Sequence, residues 1–421
     1  MHSDPLKQTS HRDARPGDPN QQNQTPHRNT RPGNLNQQNE TPRRDDRSVV
    51  SRSVAHHHRS SLVKGAALLA VGTAGALIAQ AIGIPAGVII GALLASGLYR
   101  LAGGKPGDWR ARYGKIGRLL LGTVIGAAFG PDVIAPLKAA LLPMIVATAA
   151  IIGAGLALGW ILARFTQLDI ATALISVVPG GLPAMAAIAD EMGADATVVA
   201  AIHFSRLATI LIAVPSLVPL LATTPAGIVA AAPLIEPAGL WLTIATLGCG
   251  LIAGLLALRL NLPSGDLIGP ILIVGGANLL GAGLGPLHNN LRQIAMLLIG
   301  TAVGSQMSRQ SLRRLQKVLL PAATVVVTLI VVGLLLGWGL TQVTPLDLAT
   351  ALLSNVPGGA STMPAVAHDL GGDMRLVAAL HLTRQLVVFL LLPSVLSHLL
   401  RNRHPQRTSR RSDRPVAPSR R

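Results

Sequence analysis

The sequence predicts an all-α polytopic membrane protein made of two homologous repeats. Half of its 421 residues are hydrophobic and only 13% are charged, a balance that a soluble domain of this length would find hard to keep in solution. Residues 61–222 also return at 239–400 with a constant offset of 178 residues. An internal duplication of a membrane-embedded unit is typical of transporters, in which two related halves enclose one pathway.

The segments outside the repeats differ from them in composition. Residues 1–60 form a polar arm rich in Pro and Asn with almost nothing to bury, and we expect this arm to be disordered. The tail 401–421 is Arg-rich and is also expected to be disordered. Residues 223–238 form the linker between the first repeat, 61–222, and the second, 239–400.

Each repeat contains six apolar runs, and many of them reach the roughly 20 residues needed to cross a hydrocarbon layer. Leu, Ala, Ile, Val and Gly fill these runs, and small residues let neighbouring membrane helices approach closely. The runs of the first repeat are 66–83, 84–101, 116–136, 139–163, 169–189 and 196–222. Those of the second are 239–258, 263–282, 293–307, 318–341, 347–367 and 376–400.

The net charge of +18 lies mostly outside these runs. Arg-rich, Pro-containing ends are more often topology determinants beside anionic lipid than elements that read DNA. We therefore expect anionic lipid at the basic tails and no specific nucleic-acid partner, because the polar segments contain only low-complexity arms. The sole cysteine, Cys249, lies in an apolar run and can form no intrachain disulfide.

The basic loops indicate that the two repeats have opposite orientations. The loop after the second run is basic in the first repeat, whereas the loop after the third run is basic in the second repeat. By the positive-inside rule, equivalent loops then face opposite sides of the membrane, and both termini lie in the cytoplasm. The basic residues are Lys105, Arg110, Arg112, Lys115 and Arg118 in the first repeat and Arg309, Arg313, Arg314 and Lys317 in the second.

Opposite orientation requires an odd number of crossings in each repeat, so one of the six runs should not cross completely. The fifth runs carry matching Val-Pro-Gly-Gly elements, Val178 to Gly181 and Val356 to Gly359. Proline removes a backbone donor, and two adjacent glycines weaken a helix further. We therefore predict a broken or re-entrant helix in each repeat, with its loosened backbone inside the protein or facing an aqueous cavity.

The symmetric breaks are the predicted substrate site, because half-helix ends present unpaired amides and carbonyls to a ligand. Ser354 and Asn355 precede the second break and enrich it in polar groups. The alternative is that each Pro-Gly-Gly element only kinks a packed helix. The hypothetical substrate-binding residues of the two breaks are Pro179, Gly180 and Gly181 together with Pro357, Gly358 and Gly359.

The sixth runs supply ionisable residues at matching positions. These are Asp195, His203 and Arg206 in the first repeat and Asp373, His381 and Arg384 in the second. In each repeat the three can line one helix stripe. One hypothesis makes the arginines anchors of an anionic substrate and the His and Asp residues proton or ion carriers. The other makes the aspartates helix-start caps and the His–Arg pairs structural bonds to neighbouring helices.

At these residues the chain resembles the AbrB-duplication family of bacterial inner-membrane proteins. The resemblance covers roughly residues 61–400 and rests on the pattern VPGG…M…G-x-D…V…H-x-x-R, which is specific when it occurs twice. Members of the family look like transporters and have also been labelled transcriptional regulators or ammonia monooxygenases. The resemblance implies a location in the bacterial inner membrane. It implies no role for the long N-terminal arm or the Arg-rich tail, which depart from the usual family pattern.

We expect a secondary transporter of a small solute, either ion-coupled or passive, because the sequence has no Walker-type nucleotide loop. The alternative is a membrane-bound ligand sensor that affects gene expression indirectly. A membrane monooxygenase is the third interpretation, but it would need clustered ligands, and His203, His368 and His381 are scattered between the two repeats. We therefore expect no enzymatic activity, no metal and no cofactor, and the sequence leaves a monomer and a homo-oligomer both open.

Overall fold

The computed structural model describes residues 44–401 except 106, 181–184, 186–187, 191, 222–238, 263 and 317. These residues form helices and no strand. The chain divides into two units, 1–54 and 55–421, and the contacts given below belong to the second unit.

The first repeat contributes six described helices. Helix α1 begins at Arg44, so it starts inside the segment 1–60 that was expected to be disordered. Residues 188–190 are also helical and lie between α5 and α6. The helices are α1 (Arg44–Ala81), α2 (Gly87–Leu101), α3 (Trp109–Ala127), α4 (Ile134–Phe165), α5 (Ile170–Val177) and α6 (Ala196–Leu221), with a 3-10 turn (Pro131–Val133) before α4.

The second repeat has eight described helices; its short helices α10 and α13 start at the positions equivalent to Pro131 and Met185 of the first repeat. The helices are α7 (Leu240–Arg259), α8 (Gly265–Leu279), α9 (Asn289–Gly304), α10 (Arg309–Gln316), α11 (Leu319–Val343), α12 (Leu348–Asn355), α13 (Met363–Asp369) and α14 (Met374–Arg401).

Five segments of the described chain are long and apolar enough to cross a membrane. The expectation of an all-helical membrane protein is confirmed at this level. The segments are Ser61–Ala81, Pro131–Phe165, Ala196–Leu221, Leu240–Arg259 and Leu319–Val343. Helices α2 and α8 are also apolar but have only 15 residues each.

Six helices pack side by side in the order α1, α2, α9, α3, α8, α7, so that helices of the two repeats alternate at the centre. Glycines make the close approaches possible. Gly72 of α1 lies directly against Thr301 of α9, and Gly250 of α7 lies in the same way against Thr123 of α3. A side chain at either glycine would collide with the threonine. Gly72 and Gly250 are 178 residues apart, and so are Thr123 and Thr301. Equivalent positions of the two repeats therefore make equivalent contacts.

The contacts along α3 and α9 fix their relative direction. Gly114 of α3 packs against Ala302 of α9, whereas Gly117 packs against Ala295. The residue number therefore rises along one helix while it falls along the other, and the two equivalent helices are antiparallel. By the same reading α3 is parallel to α8, because Gly122 and Gly126 of α3 meet Leu267 and Pro270 of α8 in that order, and α9 is parallel to α2.

The remaining helices form a second group that contains the predicted site. Helices α4, α6, α11 and α14 pack around the short helices α5, α12 and α13. Their contacts cross between the repeats: one buried apolar cluster joins α4 and α11 with α12 and α14, and another joins α4 and α11 with α5 and α6. Glycines of the long helices again receive the short ones, since Gly159 lies against Leu174 and Gly337 against Leu352.

Candidate functional site

The segment from α5 to the start of α6 begins and ends in the same place. Asp169 caps α5, with its carboxylate accepting a hydrogen bond from the backbone N–H of Thr172 at 2.9 Å. The Thr172 hydroxyl oxygen in turn accepts a hydrogen bond at 2.8 Å from the backbone N–H of Asp195, the residue just before α6. The chain therefore leaves this point through α5 and returns to it 23 residues later.

The second repeat repeats this arrangement. Asp347 caps α12 through the backbone N–H of Thr350 at 2.8 Å, and the Thr350 hydroxyl oxygen accepts from the backbone N–H of Asp373 at 2.8 Å. We call the segments 169–195 and 347–373 hairpin 1 and hairpin 2. The described pairs Pro179–Gly180 and Pro357–Gly358 follow the other ends of α5 and α12.

The tip of hairpin 2 is a tight turn between α12 and α13. Helix α12 ends at Asn355, and Gly359 has φ +100°, a conformation that side-chain-bearing residues rarely adopt. The Thr362 hydroxyl donates to the carbonyl oxygens of Gly358 and Gly359, which leads the chain into α13 at Met363. In hairpin 1, α5 ends at Val177, and Gly181 lies outside the described residues.

The first glycine of each tip packs against a methionine of its own hairpin. The side chain of Met185 lies over Gly180, and that of Met363 lies over Gly358, so a Cβ at either glycine would displace the methionine side chain. Both methionines are fully buried. The predicted tip residues are therefore packed closely against their own hairpins.

In the first repeat, a His–Arg pair on α6 binds the end of α5. Arg206 donates to the carbonyl oxygens of Val177 at 3.0 Å and Val178 at 3.3 Å. The guanidinium also contacts His203 Nδ1 at 3.0 Å. Because arginine can only donate, His203 Nδ1 accepts, and the Nε2–H then donates to the carbonyl oxygen of Ile175 at 2.9 Å.

The equivalent pair on α14 binds the end of α12. Arg384 donates to the carbonyl oxygen of Asn355 at 3.0 Å and more weakly to those of Ser354 and Val356, both at 3.4 Å. It also donates to His381 Nδ1, and His381 Nε2 lies 2.8 Å from the carbonyl oxygen of Leu353. The last carbonyls of a helix have no intrahelical partner, and these side chains supply one.

Asp195 and Asp373 lie at the starts of the long helices, three turns from the arginines. The Asp195 carboxylate accepts hydrogen bonds from the backbone N–H groups of Thr197 at 2.9 Å and Val198 at 3.1 Å. Asp373 accepts from the backbone N–H of Arg375 at 2.8 Å. These are the contacts that the structural alternative predicts for the aspartates and for the His–Arg pairs. The substrate-binding and ion-coupling roles stay predictions.

The side chains of Ser354 and Asn355 bond within their own helix. The Ser354 hydroxyl donates to the carbonyl oxygen of Thr350 at 2.6 Å, and the Asn355 amide donates to that of Ala351 at 3.1 Å. Both residues are buried beside Arg384. They help to shape the tip of hairpin 2, and their role toward a ligand stays a prediction.

The two hairpin tips lie close to each other. Val388 of α14, one helical turn beyond Arg384, packs in one apolar cluster with Ile175 and Val178 of hairpin 1. Leu207 of α6, the residue after Arg206, lies beside Gly359 of hairpin 2. The structure thus brings together, from both repeats, the described tip residues and both His–Arg pairs.

Two groups of residues that the sequence did not single out also hold the hairpins. Thr172 and Thr350 join the two ends of each hairpin, and their recurrence at the offset of 178 was a usable signal. At hairpin 2, Arg292 of α9 forms an ion pair with Asp369 of α13 at 2.8 Å. The positions that correspond to Arg292 and Asp369 in the first repeat are Gly114 and Glu191. No repeated pattern could therefore have predicted this ion pair.

A third connection joins the base of hairpin 2 to the first repeat. Arg375 forms an ion pair with Asp132 at 2.8 Å and with Asp373 at 2.7 Å. The positions that correspond to Arg375 and Asp132 are Thr197 and Gln310, which cannot form this pair. Neither ion pair, Arg292–Asp369 or Arg375–Asp132, therefore has a counterpart at the equivalent positions.

Comparisons with known proteins agree with this membrane architecture. The family model described as "Transition state regulatory protein AbrB" matches residues 88–400. The chain is 26% identical over 374 residues to "Uncharacterized protein YhjN" of Bacillus subtilis, a match that covers 84% of this chain and 97% of that protein. It is 28% identical over 239 residues to "Putative regulator AbrB" of Escherichia coli, covering 56% of this chain and 68% of the relative.

Proposed function

Since this chain belongs to the AbrB family, we propose that it is a secondary transporter that moves a small solute through a site between the tips of hairpins 1 and 2. The observation that carries this proposal is the meeting of two equivalent hairpin tips, one from each repeat, in the interior of the second helix group. Half-helix ends that face each other between two related halves are typical of transporter binding sites.

The proposal includes inverted repeats. Equivalent helices α3 and α9 are antiparallel, and a two-fold axis that relates antiparallel helices is perpendicular to them. If these helices cross the bilayer, the axis lies in the membrane plane, and one repeat is upside down relative to the other. The contact between Gly117 and Ala295, two positions related by the offset of 178, supports an axis through this crossing.

The basic loops support the same orientation. Arg309, in the loop after the third run of the second repeat, donates to the carbonyl oxygen of Leu101 at 2.7 Å, and Leu101 ends the second run of the first repeat. Arg100 donates across the same boundary to the carbonyl oxygen of Ser305 at 3.1 Å. The two basic loops therefore share one face of the molecule, and the positive-inside rule makes that face cytoplasmic.

We propose further that the hairpins are re-entrant. Arg206 is ten residues beyond the start of α6 at Ala196, which corresponds to about 15 Å of helix. This is half of the roughly 30 Å thickness of a hydrocarbon core. Because Arg206 bonds the end of α5, the tip of hairpin 1 would lie near the middle of the bilayer. Hairpin 2 would reach the same depth from the opposite side.

The runner-up function is a membrane-bound ligand sensor. The name of the Escherichia coli relative, which calls that protein a regulator, favours this alternative. A sensor could use the same site between the tips, with its ligand admitted from one side only. The number of sides from which the site is accessible therefore distinguishes a sensor from a transporter.

A cysteine at Ser361 would test the transporter proposal. Ser361 is partly exposed at the tip of hairpin 2, and cysteine has nearly the size of serine. In a Cys249→Ala background, we expect Ser361→Cys to react with a membrane-impermeant thiol reagent from the outside of intact cells and also from the cytoplasmic side of inverted vesicles. Alternating access to one central site requires both reactions.

Thr324→Cys is the matched control. Thr324 lies on the exposed surface of the long apolar helix α11, where it should face lipid, and we expect no labelling from either side. Labelling of Ser361→Cys from one side alone would reject the transporter in favour of the sensor. If Ser361→Cys were labelled from neither side, the tips would be part of a packed interior that no ligand enters. Both proposed functions would then be wrong for this site.

A further inference from the structure

The arginines at the hairpin tips differ from Arg118, Arg292 and Arg375 in the partners they have. Arg118 pairs with Asp266, Arg292 with Asp369 and Arg375 with Asp132 and Asp373. Within the described part of the chain, Arg206 and Arg384 form no ion pair with a carboxylate, although each is only 5% exposed. Their partners are backbone carbonyls and the accepting nitrogens of the two histidines.

The carbonyl partners offset part of the positive charge of Arg206 and Arg384. The C-terminal end of a helix carries the equivalent of about half a negative charge, so α5 and α12 together contribute about one negative charge at the tips. The two guanidiniums contribute two positive charges. A net charge on the order of +1 would then remain in the interior of a membrane protein, where uncompensated charge is costly.

Arg206 also has an unused donor. Its Nε–H is buried and makes no hydrogen bond to any residue that the structure describes, although buried donors are almost always paired. The other nitrogens of Arg206 already bond Val177, Val178 and His203. A ligand with an anionic oxygen would supply both the missing acceptor and the missing charge, because charge-assisted hydrogen bonds from guanidinium to carboxylate are among the strongest in proteins.

We infer that the solute bound between the hairpin tips is a small anion with a single net negative charge, of the carboxylate type, held between Arg206 and Arg384. This inference rests on the proposed site and names its substrate class. A neutral solute would leave the charge unbalanced, and a cation would be repelled by the two arginines. One monovalent anion brings the electrostatic balance at the tips close to zero.

Thermal stability of the purified full-length protein would test the inference. The probes are sodium acetate, bicarbonate and benzoate, with acetamide as the neutral counterpart of acetate and sodium sulfate holding the ionic strength constant. We expect at least one monovalent anion to raise Tm in a saturable manner, by about 2 °C at ten times its Kd. Acetamide should have no such effect, and neither should the anion on Arg384→Gln.

Arg110→Gln is the control, because Arg110 is exposed in the first turn of α3, away from the tips, and we expect it to keep the full shift. If Arg384→Gln does not fold, Arg384→Lys keeps the charge but loses the two-pronged donor geometry, and its shift should be smaller. Equal shifts with acetate and acetamide, a shift of full size in Arg384→Gln or Arg384→Lys, or no shift with any of the three anions would each overturn the inference. An anion shift together with one-sided labelling of Ser361→Cys would reject transport and leave the anion site standing.

Discussion

Thr350 has a larger structural role than its size suggests. Its fully buried hydroxyl oxygen accepts a hydrogen bond from the backbone N–H of Asp373, and the hydroxyl donates to the carboxylate of Asp347. One side chain therefore joins the first turn of α12 to the residue that precedes α14. Thr172 makes the same bonds in hairpin 1, so both hairpins are closed at the base in the same way.

Thr350→Val should destabilise the protein by about 2 kcal/mol, because valine keeps the shape but leaves a buried backbone N–H without an acceptor. The unfolding free energy of the detergent-solubilised protein would measure this loss. Thr324→Val is the control, since Thr324 bonds only its own helix at Leu320 on an exposed face. A Thr350→Val protein as stable as this control would show that the hairpin base does not depend on the threonine.

An ion pair joins helix α13 to α9 of the six-helix row. Arg292 is 5% exposed and donates to the Ala365 carbonyl oxygen as well as to Asp369. The pair lies next to a cavity of about 290 Å³ lined in part by Gln80 and Gln293. Loss of the carboxylate would leave the buried guanidinium with a weaker set of acceptors, and the end of hairpin 2 would be held less firmly.

Asp369→Asn should therefore loosen α13 while the rest of the fold persists. We expect amide hydrogen exchange to become about tenfold faster across 363–372, which corresponds to a local loss of about 1.4 kcal/mol. Asp108→Asn is the matched control, because Asp108 is exposed before α3 and caps no backbone N–H there. Unchanged exchange in 363–372 would mean that packing alone fixes the hairpin.

The sequence indicated the helical class, the apolar helices and the residues near the site more clearly than the contacts of those residues. Apolar composition determines long membrane-like helices, and that prediction depends on local sequence alone. Arg206 and Arg384 bond to backbone carbonyls 28 to 30 residues away. Because every residue has a backbone carbonyl, the sequence cannot indicate which one an arginine will bind. The Arg292–Asp369 pair was equally hidden, since it has no counterpart in the first repeat.

At the scale of the whole molecule, the proposed inversion places the linker between the repeats outside the cell. A cysteine at Thr224 in the Cys249→Ala background should therefore react with an impermeant reagent in intact cells. Lys105→Cys, in the exposed basic loop after α2, should react only after the membrane is opened. Labelling of both positions from the same side would contradict the inverted arrangement and favour parallel repeats.

In the six-helix row, helices of the two repeats alternate at the centre. This alternation also bears on how such a chain could have arisen. Helix α9 lies against α2 and the Gly72 position of the other repeat, and α3 lies against α8 and the Gly250 position. One repeat alone would expose these glycine-lined grooves. With the proposed inversion, a single-copy ancestor would have had to fill them with a second molecule inserted upside down, as a dual-topology homodimer. Fusion of two genes then allowed the loop charges, and the ion pairs of hairpin 2, to diverge between the halves.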